Sequence, residues 1–375
     1  MRVSEQGSDA RPTAGIGTLL GGGAKKYLDR GTMEYYLASL DFDGNSTHSD
    51  SFELTFLAHG ITPSPNDPKL AVLFEKHGPG CCVVDLCAKQ IVRTVTTTRN
   101  RHFYGHGVFS RDGSVIYCTE SDLEDRRRGW IAVRDGNTFE YLGDFPSFGL
   151  APHDCRLLDD GNTLVVTNGG SAVGEPDEPN VSYIDVSSRQ LLERMPVPDM
   201  RLDAGHLAIT HAGDLAVASA PRFGTPDPTK HSGGLSLRPN GQPFCTVHEP
   251  FEVTAQMLGE TLSVVIHEAS STVGATNPEG HIVTFWHLGT GRLIRTLRVP
   301  NPRGIAISLS GQEFVIVFGA TGKAARVSAQ TLEPTNVPGN RDGYPCGITG
   351  SHVLIYDLAS VRRGFQLDDN ALASA

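Results

Sequence analysis

Four histidines stand at nearly regular intervals in the first part of the chain. They are His59, His106, His153 and His206, in the contexts AHGI, GHGV, PHDC and GHLA, and they are separated by 47, 47 and 53 residues. Imidazole is a common protein ligand for late first-row transition metals. Residues that recur with the period of a structural repeat occupy equivalent places in the fold. The spacing therefore predicts that these four histidines share one iron(II) or copper site.

Other residues near the same interval extend this pattern. Glu252 (or Phe251, since the register is open there), Arg303 and Cys346 follow along the chain, and Tyr104 precedes His106 by two residues. Glu252 is interpreted as a ligand or as a hydrogen-bond partner of a ligand. Arg303 is interpreted as an anchor for an anionic substrate. Tyr104 is interpreted either as a hydroxyl beside the metal site or as a packing residue. Cys346 is interpreted either as a further metal ligand or as a small residue that lines the channel.

The segments that follow each histidine read as short strands. After His106 the sequence runs HGVFSRDGSVIYCTESD, then GWIAVRD and FEYLGDFP. Apolar and β-branched runs alternate there with Asp- and Gly-containing turns, which is the pattern of antiparallel hairpins. Similar runs follow the other marks, so each unit of about 47 residues predicts four strands.

Seven such units predict an all-β fold, a seven-bladed β-propeller with four antiparallel strands in each blade. The unit starts are placed at 59, 106, 153, 206, about 252, 303 and 346. The last blade is predicted to combine a strand at 352–356 with two N-terminal strands at 35–41 and 52–56, which leaves no open edge. Residues 1–33 and 359–375 are interpreted as tails around a single propeller domain at 34–358. Residues 220–242 are interpreted as an insertion over one face.

In a propeller the first strand of each blade lines the central channel, so the four histidines are expected to converge near its mouth. A polar channel lining without metal is the alternative interpretation. Eight further histidines are assigned to packing, surface or turn positions. These are His267, His281 and His287 in or beside strands, and His77, His211, His231, His248 and His352 in solvated turns or strand ends.

Composition excludes several classes of function. The chain has 375 residues with 32 basic and 42 acidic side chains, a formal net charge of −10, which argues against a nucleic-acid or anionic-membrane surface. No stretch approaches the roughly 20 apolar residues that span a bilayer. Seven cysteines without a CxxC pair indicate a reduced set, and no secretory signal is evident, so the predicted location is cytoplasmic.

Two segments carry a family resemblance. They are RHFYGHGVFSRDGSVIYCTESD at 101–122 and FPSFGLAPHDCRLLDDGNTLVVTNGG at 145–170. Both are similar to an uncharacterised bacterial propeller family, domain of unknown function fifteen-thirteen. The segment GHLAI at 205–209 is similar to that family's arginine-histidine-leucine-alanine motif, with Gly205 in place of the arginine. The resemblance implies a propeller fold and relatives encoded near iron-uptake genes.

These observations favour a metal-dependent oxidoreductase that acts on a small molecule or peptide. In this hypothesis three or four of the histidines bind iron(II) or copper, while Arg303 or Glu252 orients the substrate. Two alternatives stay open: a non-enzymatic metal-handling protein with the same site, and a propeller scaffold that binds a protein or peptide. The sequence does not choose between iron and copper, because imidazole serves both.

Overall fold

A computed structural model describes residues 15–27, 31–44, 48–125, 127–335 and 342–363, and the fold of these residues is all-β. The first strands in the chain are β1 (Thr18–Tyr27), β2 (Thr32–Asp41), β3 (His48–Leu54), β4 (Ala58–Pro63), β5 (Leu70–Gly78), β6 (Cys81–Asp85), β7 (Gln90–Thr94), β8 (Arg101–Phe109), β9 (Val115–Asp122), β10 (Arg128–Asp135), β11 (Tyr141–Leu150), β12 (Pro152–Leu157), β13 (Thr163–Asn168), β14 (Asn180–Asp185) and β15 (Gln190–Pro196).

The later strands are β16 (Leu207–Ile209), β17 (Leu215–Ser219), β18 (Gly234–Arg238), β19 (Cys245–Thr246), β20 (Ser263–His267), β21 (Thr272–Asn277), β22 (Ile282–His287), β23 (Leu293–Arg298), β24 (Pro302–Ile307), β25 (Glu313–Phe318), β26 (Lys323–Ser328), β27 (Tyr344–Pro345) and β28 (Val353–Tyr356). Short helical segments are the α-helix α1 (Phe251–Thr254) and the 3₁₀ helices Pro228–Lys230 and Glu268–Ser270. Residues 358–363 add a helical turn. No helix in the described ranges is long and apolar enough to cross a membrane.

The described strands form seven antiparallel units of four. In chain order five of them are β12–β15, β16–β19, β20–β23, β24–β27 and, across the termini, β28-β1-β2-β3. The units β4–β7 and β8–β11 join into one larger sheet, because β5 pairs with β8. The turns predicted from Asp and Gly are present. For example, Gly113 adopts φ 68°, and its N–H donates to the carbonyl of Ser110 at 3.0 Å, which closes the hairpin between β8 and β9.

The unit that joins the two ends of the chain differs from the expectation. The N-terminal region supplies three strands, not two, since Thr18–Tyr27 pairs with both β2 and β28. The sequence interpretation places this segment in the N-terminal tail, yet Leu19 and Leu20 are fully buried and fix it in the sheet. Leu358, at the proposed domain limit, is buried as well. Residues 1–14, 28–30 and 364–375 of the proposed tails lie outside the described residues.

Two unit starts were placed wrongly. The predicted start near 252 falls in α1, and the first strand of that unit is Ser263–His267. Cys346 follows β27, which pairs with β26 as the fourth strand of the preceding unit, so Cys346 does not begin a first strand. Both starts are predicted from the average spacing of the units, but the segments that connect the strands there are longer than average, so the first strands begin later. The first strand of the terminal unit is Val353–Tyr356, and His352 directly precedes it.

The core lies between neighbouring units. One cluster joins Phe74 and Val83 of β5 and β6 to Ile116 of β9, and another joins Phe285 of β22 to Phe314 of β25. All five side chains are at most 1% exposed. Removing such an aromatic ring costs about 3–5 kcal/mol. This packing holds the units face to face and therefore fixes the relative positions of their first strands.

The first strands contact one another in sequence. β4 contacts β8, β8 contacts β12, and the series continues through β16, β20 and β24 to β28, while β1 contacts β4. The segment 220–233 between β17 and β18, which contains the 3₁₀ helix Pro228–Lys230, corresponds to the first part of the insertion expected at 220–242. The expected range was too long, because Gly234–Arg238 within it forms β18.

Candidate metal centre

Three of the histidines lie where the strand pairing is interrupted. In each of β4, β8 and β12 the register to the next strand shifts, and His59, His106 and His153 fall inside the shifted stretch. Such bulges redirect side chains that regular pairing would point to the sheet faces. The same interruption occurs in β24 around Arg303. Four of the first strands, β4, β8, β12 and β24, thus share a local distortion of the strand pairing.

His206 and His352 occupy the corresponding place in two other units, because each directly precedes a first strand, β16 and β28. His352 was assigned to a solvated strand end, and that prediction is wrong: it is half-buried among the other histidines. The misplaced unit start at 346 concealed it. The sequence does contain the signal, since His352-Val353-Leu354 parallels His206-Leu207-Ala208.

Four of the five imidazoles form a compact group. One ligand nitrogen from each of His59, His106, His206 and His352 lies within 4.8 Å of all the others. Nε2 of His206 is 2.6 Å from Nε2 of His352 and 3.2 Å from Nε2 of His59. We call these four residues the histidine tetrad. His352 therefore belongs to the group, although the sequence analysis did not include it.

His153 adjoins the tetrad without belonging to it. Its ring centroid lies 4.3 Å from that of His206 but 5.8 and 6.0 Å from those of His59 and His106. His352, in contrast, has ring separations of 4.0, 4.4 and 4.6 Å from the other tetrad members. The four histidines predicted from the sequence do lie together, with His153 at the edge of the group.

Three of the tetrad rings are held by their second nitrogen. Nδ1 of His206 donates to the carbonyl oxygen of Leu262 at 2.5 Å, and Nδ1 of His59 lies 3.0 Å from the hydroxyl of Ser351. A carbonyl only accepts, so the proton of His206 is on Nδ1 and its Nε2 carries a lone pair. Outer hydrogen bonds of this kind orient histidine ligands in metal sites.

Asp154 holds the third ring. Its Oδ1 lies 3.3 Å from Nδ1 of His106, and the same carboxylate accepts from the backbone N–H of Leu207 at 3.2 Å and from Arg156 at 2.9 Å. Asp154 is 1% exposed. A buried carboxylate so close to Nδ1 of His106 favours the tautomer with the proton on Nδ1, which leaves Nε2 of that ring free to bind. Asp154 also ties His106 to the strand that begins beside His206.

Burial keeps the cluster neutral. The pKa of each of His59, His106, His153, His206 and His352 lies well below its ordinary value, chiefly because burial penalises the charged form. Neighbouring positive charge adds to the effect, from Lys76 on His153 and from Arg156 on His106. Metal binding requires neutral imidazole. The cluster is therefore in the protonation state of a ligand set.

A shared metal ion accounts for the approach of these nitrogens better than hydrogen bonds between the imidazoles do. Two nitrogens bound to one ion at about 2.0 Å in tetrahedral geometry stand about 3.3 Å apart. Nε2 of His206 has one lone pair, yet two other Nε2 atoms approach it, and Nε2 of His106 is buried without a hydrogen-bond partner. A shared proton satisfies one such pair, whereas a shared cation satisfies several at once. The tetrad is a candidate metal centre.

The backbone next to the tetrad is closely packed. Gly105 has φ +116°, and a Cβ at this position would lie 2.5 Å from Cδ2 of His59. A Cβ at Gly60 would lie 2.3 Å from the carbonyl oxygen of Gly105. Both positions require glycine, since any side chain would displace His59 or the neighbouring strand.

Of the other predicted site residues, Tyr104 lies beside the histidines, whereas Glu252 and Cys346 lie elsewhere. Tyr104 is buried, its ring centroid is 5.9 Å from that of His153, and burial raises the pKa of its hydroxyl to about 12. Arg303 is half-buried, and its Nε donates to the carbonyl of Gly350 at 3.4 Å. Glu252 is exposed on α1 and is not in a first strand, and Cys346 is buried in an apolar cluster between two units.

Two cavities border different members of the histidine group. One, of about 710 Å³, is bordered by His153 and is called the entrance cavity; its polar lining includes Lys76, Tyr104, Arg127, Asp203 and Glu260. The other, of about 320 Å³, is bordered by His206, His352, Asp154, Arg156 and apolar residues of β16, β20, β24 and β28. The histidine group is thus bordered by one cavity at His153 and by another at His206 and His352.

The fold and site define an all-β protein of four-stranded antiparallel units with a buried histidine cluster able to hold a metal. Residues 53–342 match the family described as Protein of unknown function (DUF1513), and the chain belongs to this family. Among solved structures it is similar to Kuenenia stuttgartiensis Hydrazine Synthase, with a TM-score of 0.63 and 13% identity over 83% of this chain and 95% of that chain. That likeness concerns the fold alone. No curated protein matches the chain.

Proposed function

We propose that the chain is a seven-bladed β-propeller in which the histidine tetrad binds one iron(II) or copper ion, and that the protein is a metal-dependent oxidoreductase for a small molecule or peptide. Support for the propeller comes from the sequential contacts between first strands and from the return of β28 to the N-terminal sheet. The ring contact of His352 with His59, at 4.4 Å, joins the last unit to the first histidine-bearing unit.

The observation that carries the metal proposal is the convergence of Nε2 atoms from His59, His206 and His352 at 2.6 and 3.2 Å. These rings are buried or half-buried and are held neutral. An all-imidazole set favours late first-row transition metals over magnesium or calcium, which prefer oxygen ligands. Iron and copper are proposed because such ions supply redox chemistry when bound.

The chain's own residues have distinct parts in this function. Asp154 and the carbonyl of Leu262 hold His106 and His206 with Nε2 inward. Tyr104 borders the entrance cavity beside His153, and Arg303 supplies positive charge near Glu260. Glu252 is left out because it is exposed on α1. The free cysteines in the described ranges support a reducing, cytoplasmic setting.

The test is elemental analysis of the purified full chain beside the double variant His206→Ala/His352→Ala. We expect about one iron or copper ion per chain in the wild type and almost none in the variant, because two of four ligands are lost. The matched control is His211→Ala/His231→Ala, which alters two exposed histidines and should keep the ion. Equal metal content in all three proteins would refute the site.

Redox function needs its own measurement. The bound ion should be reduced by ascorbate and reoxidised by air, followed by electron paramagnetic resonance or visible absorption. A stoichiometric but redox-silent ion such as zinc would retain the site and overturn the oxidoreductase assignment.

Metal handling without catalysis is the second candidate. It is favoured by the burial of His106 and His206, which are only 4% and 2% exposed and leave little room for exchange at the ion. A metal centre that binds no exogenous ligand in its oxidised form would favour this alternative over the first.

A further inference from the structure

His153 occupies an unusual position beside the tetrad. It is 5% exposed, its Nε2 is buried without a hydrogen-bond partner, and it borders the entrance cavity, whereas His206 and His352 border the other cavity. An unpartnered buried polar group is costly, so its retention calls for a partner that binds there. His106 has an equally unpartnered Nε2, but that ring belongs to the tetrad.

We propose that His153 is not a metal ligand but the hydrogen-bonding partner of a small anion that enters through the entrance cavity and binds at the open side of the histidine tetrad. This inference rests on the proposed metal site and adds the position and chemical class of its exogenous ligand. The class is a compact monoanion, such as hydroxide, azide or the carboxylate end of a larger substrate.

Geometry separates His153 from the ligands. The group of nitrogens within 4.8 Å of one another includes His352 and not His153. Only His206, of the tetrad, has its ring close to His153, at 4.3 Å between centroids, while Tyr104 flanks the other side at 5.9 Å. His153 therefore adjoins both the tetrad, through His206, and the entrance cavity, and a residue so placed can contact a ligand of the ion without holding the metal.

The surrounding charge favours an anion at this position. Lys76 borders the same cavity, and its positive charge contributes to the low pKa of His59, His106, His153 and His352. The cavity also contains Glu260, which lies 3.8 Å from the Lys76 ammonium, and the exposed Glu279. Burial raises the pKa of Asp203 to about 7. Arg127 and Arg222 border the same cavity, so its basic groups do not depend on Lys76 alone. A bound cation beside Lys76 makes the inner end of the cavity positive.

The volume of the entrance cavity extends the argument to substrates. About 710 Å³ is far more than a small anion needs and is in the range of small-molecule sites. Residues Pro221–Thr225 and Pro228–Thr229 of the segment between β17 and β18 border it. A substrate with a carboxylate can therefore place its charged end at His153 while the remainder occupies the cavity.

Azide is the probe, titrated into copper(II)-loaded full-length protein and followed by the ligand-to-metal absorption band. We expect His153→Ala to retain about one copper ion per chain and to bind azide about tenfold more weakly, the effect of one lost hydrogen bond to a charged group. His153→Gln keeps an N–H donor and should recover part of the affinity. His77→Ala alters the same cavity one ring further away and should change azide affinity less than twofold.

Three results would overturn the inference. His153→Ala that loses copper as His352→Ala does would make His153 a ligand. Copper retained with unchanged azide affinity would leave His153 without a role in anion binding. A wild-type protein that binds no iron or copper would remove the proposed function itself, and that result is obtained before azide is added. If His153→Ala does not fold, His153→Leu, which also removes the N–H donor but fills more of the space of the ring, gives the same comparison.

Discussion

Nε2 of His206 lies 2.6 Å from Nε2 of His352, across 146 residues of sequence. One residue precedes a strand in the middle of the chain, and the other precedes the last described strand. Their approach depends on β28 pairing with β1, which brings the C-terminal strand into the N-terminal sheet. The candidate metal centre is therefore built by several units together and not by any one unit.

Asp154→Asn should weaken metal binding with little change in the fold. The carboxylate Oδ1 lies 3.3 Å from Nδ1 of His106 and favours a proton on that nitrogen, whereas a neutral amide is a poorer acceptor that also presents an N–H group. Loss of such an outer partner typically lowers metal affinity by about 10- to 100-fold. Competition with a chromophoric chelator measures the affinity. Asp112→Asn, an exposed turn carboxylate, is the control, and equal affinity in both variants would contradict the assigned role.

Gly105→Ala should cost both stability and metal affinity. The backbone at Gly105 has φ +116°, and the new Cβ would lie 2.5 Å from Cδ2 of His59. Backbone strain of this kind costs about 1–3 kcal/mol, and displacement of His59 removes a ligand in addition. Denaturant unfolding and metal content measure the two effects.

Gly241→Ala is the matched control for Gly105→Ala. Gly241 also has positive φ, +72°, but nothing lies within 4 Å of its added Cβ. It should lose stability and keep the metal. If Gly105→Ala retains full metal affinity, the tight contact with His59 has no bearing on the site.

The metal-free protein should lose stability in mild acid. The pKa of the five clustered histidines lies well below the value of about 6.5 expected for the unfolded chain, because they are buried. Below pH 6.5 the unfolded chain therefore binds more protons than the folded one. Above that pH the free energy of unfolding keeps its full value. At lower pH the free energy of unfolding decreases, by up to about 1.4 kcal/mol per pH unit for each histidine. Asp203, with a pKa near 7, opposes the trend by one proton.

Urea unfolding at about pH 7.5 and about pH 5.5 tests this linkage. His153→Gln should reduce the decrease in the free energy of unfolding between these two pH values by the contribution of one histidine. His211→Gln should not reduce it, since Glu268 raises the pKa of that exposed imidazole and gives it the opposite sign. Equal stability at the two pH values would show that the buried histidines do not resist protonation.

The regular features of this fold could be predicted from sequence because they are local. Alternating strands and Asp-Gly turns follow from short-range preferences, and the period identified three of the four members of the tetrad, His59, His106 and His206. The fourth predicted residue, His153, lies beside that group and outside it. His352 was missed because its place depends on how the chain closes, a long-range pairing that an average interval does not encode. Glu252 was misplaced for the same reason, as the longer connection before β20 shifted the register.

Assembly order follows from the terminal sheet. During synthesis, residues up to β27 emerge before the last tetrad member, so the growing chain carries three of the four imidazoles without the one whose ring lies closest to each of the others. Pairing of Val353–Tyr356 with Thr18–Tyr27 then completes the terminal sheet and brings His352 to the other three. A chain that ends before His352 therefore presents an incomplete tetrad.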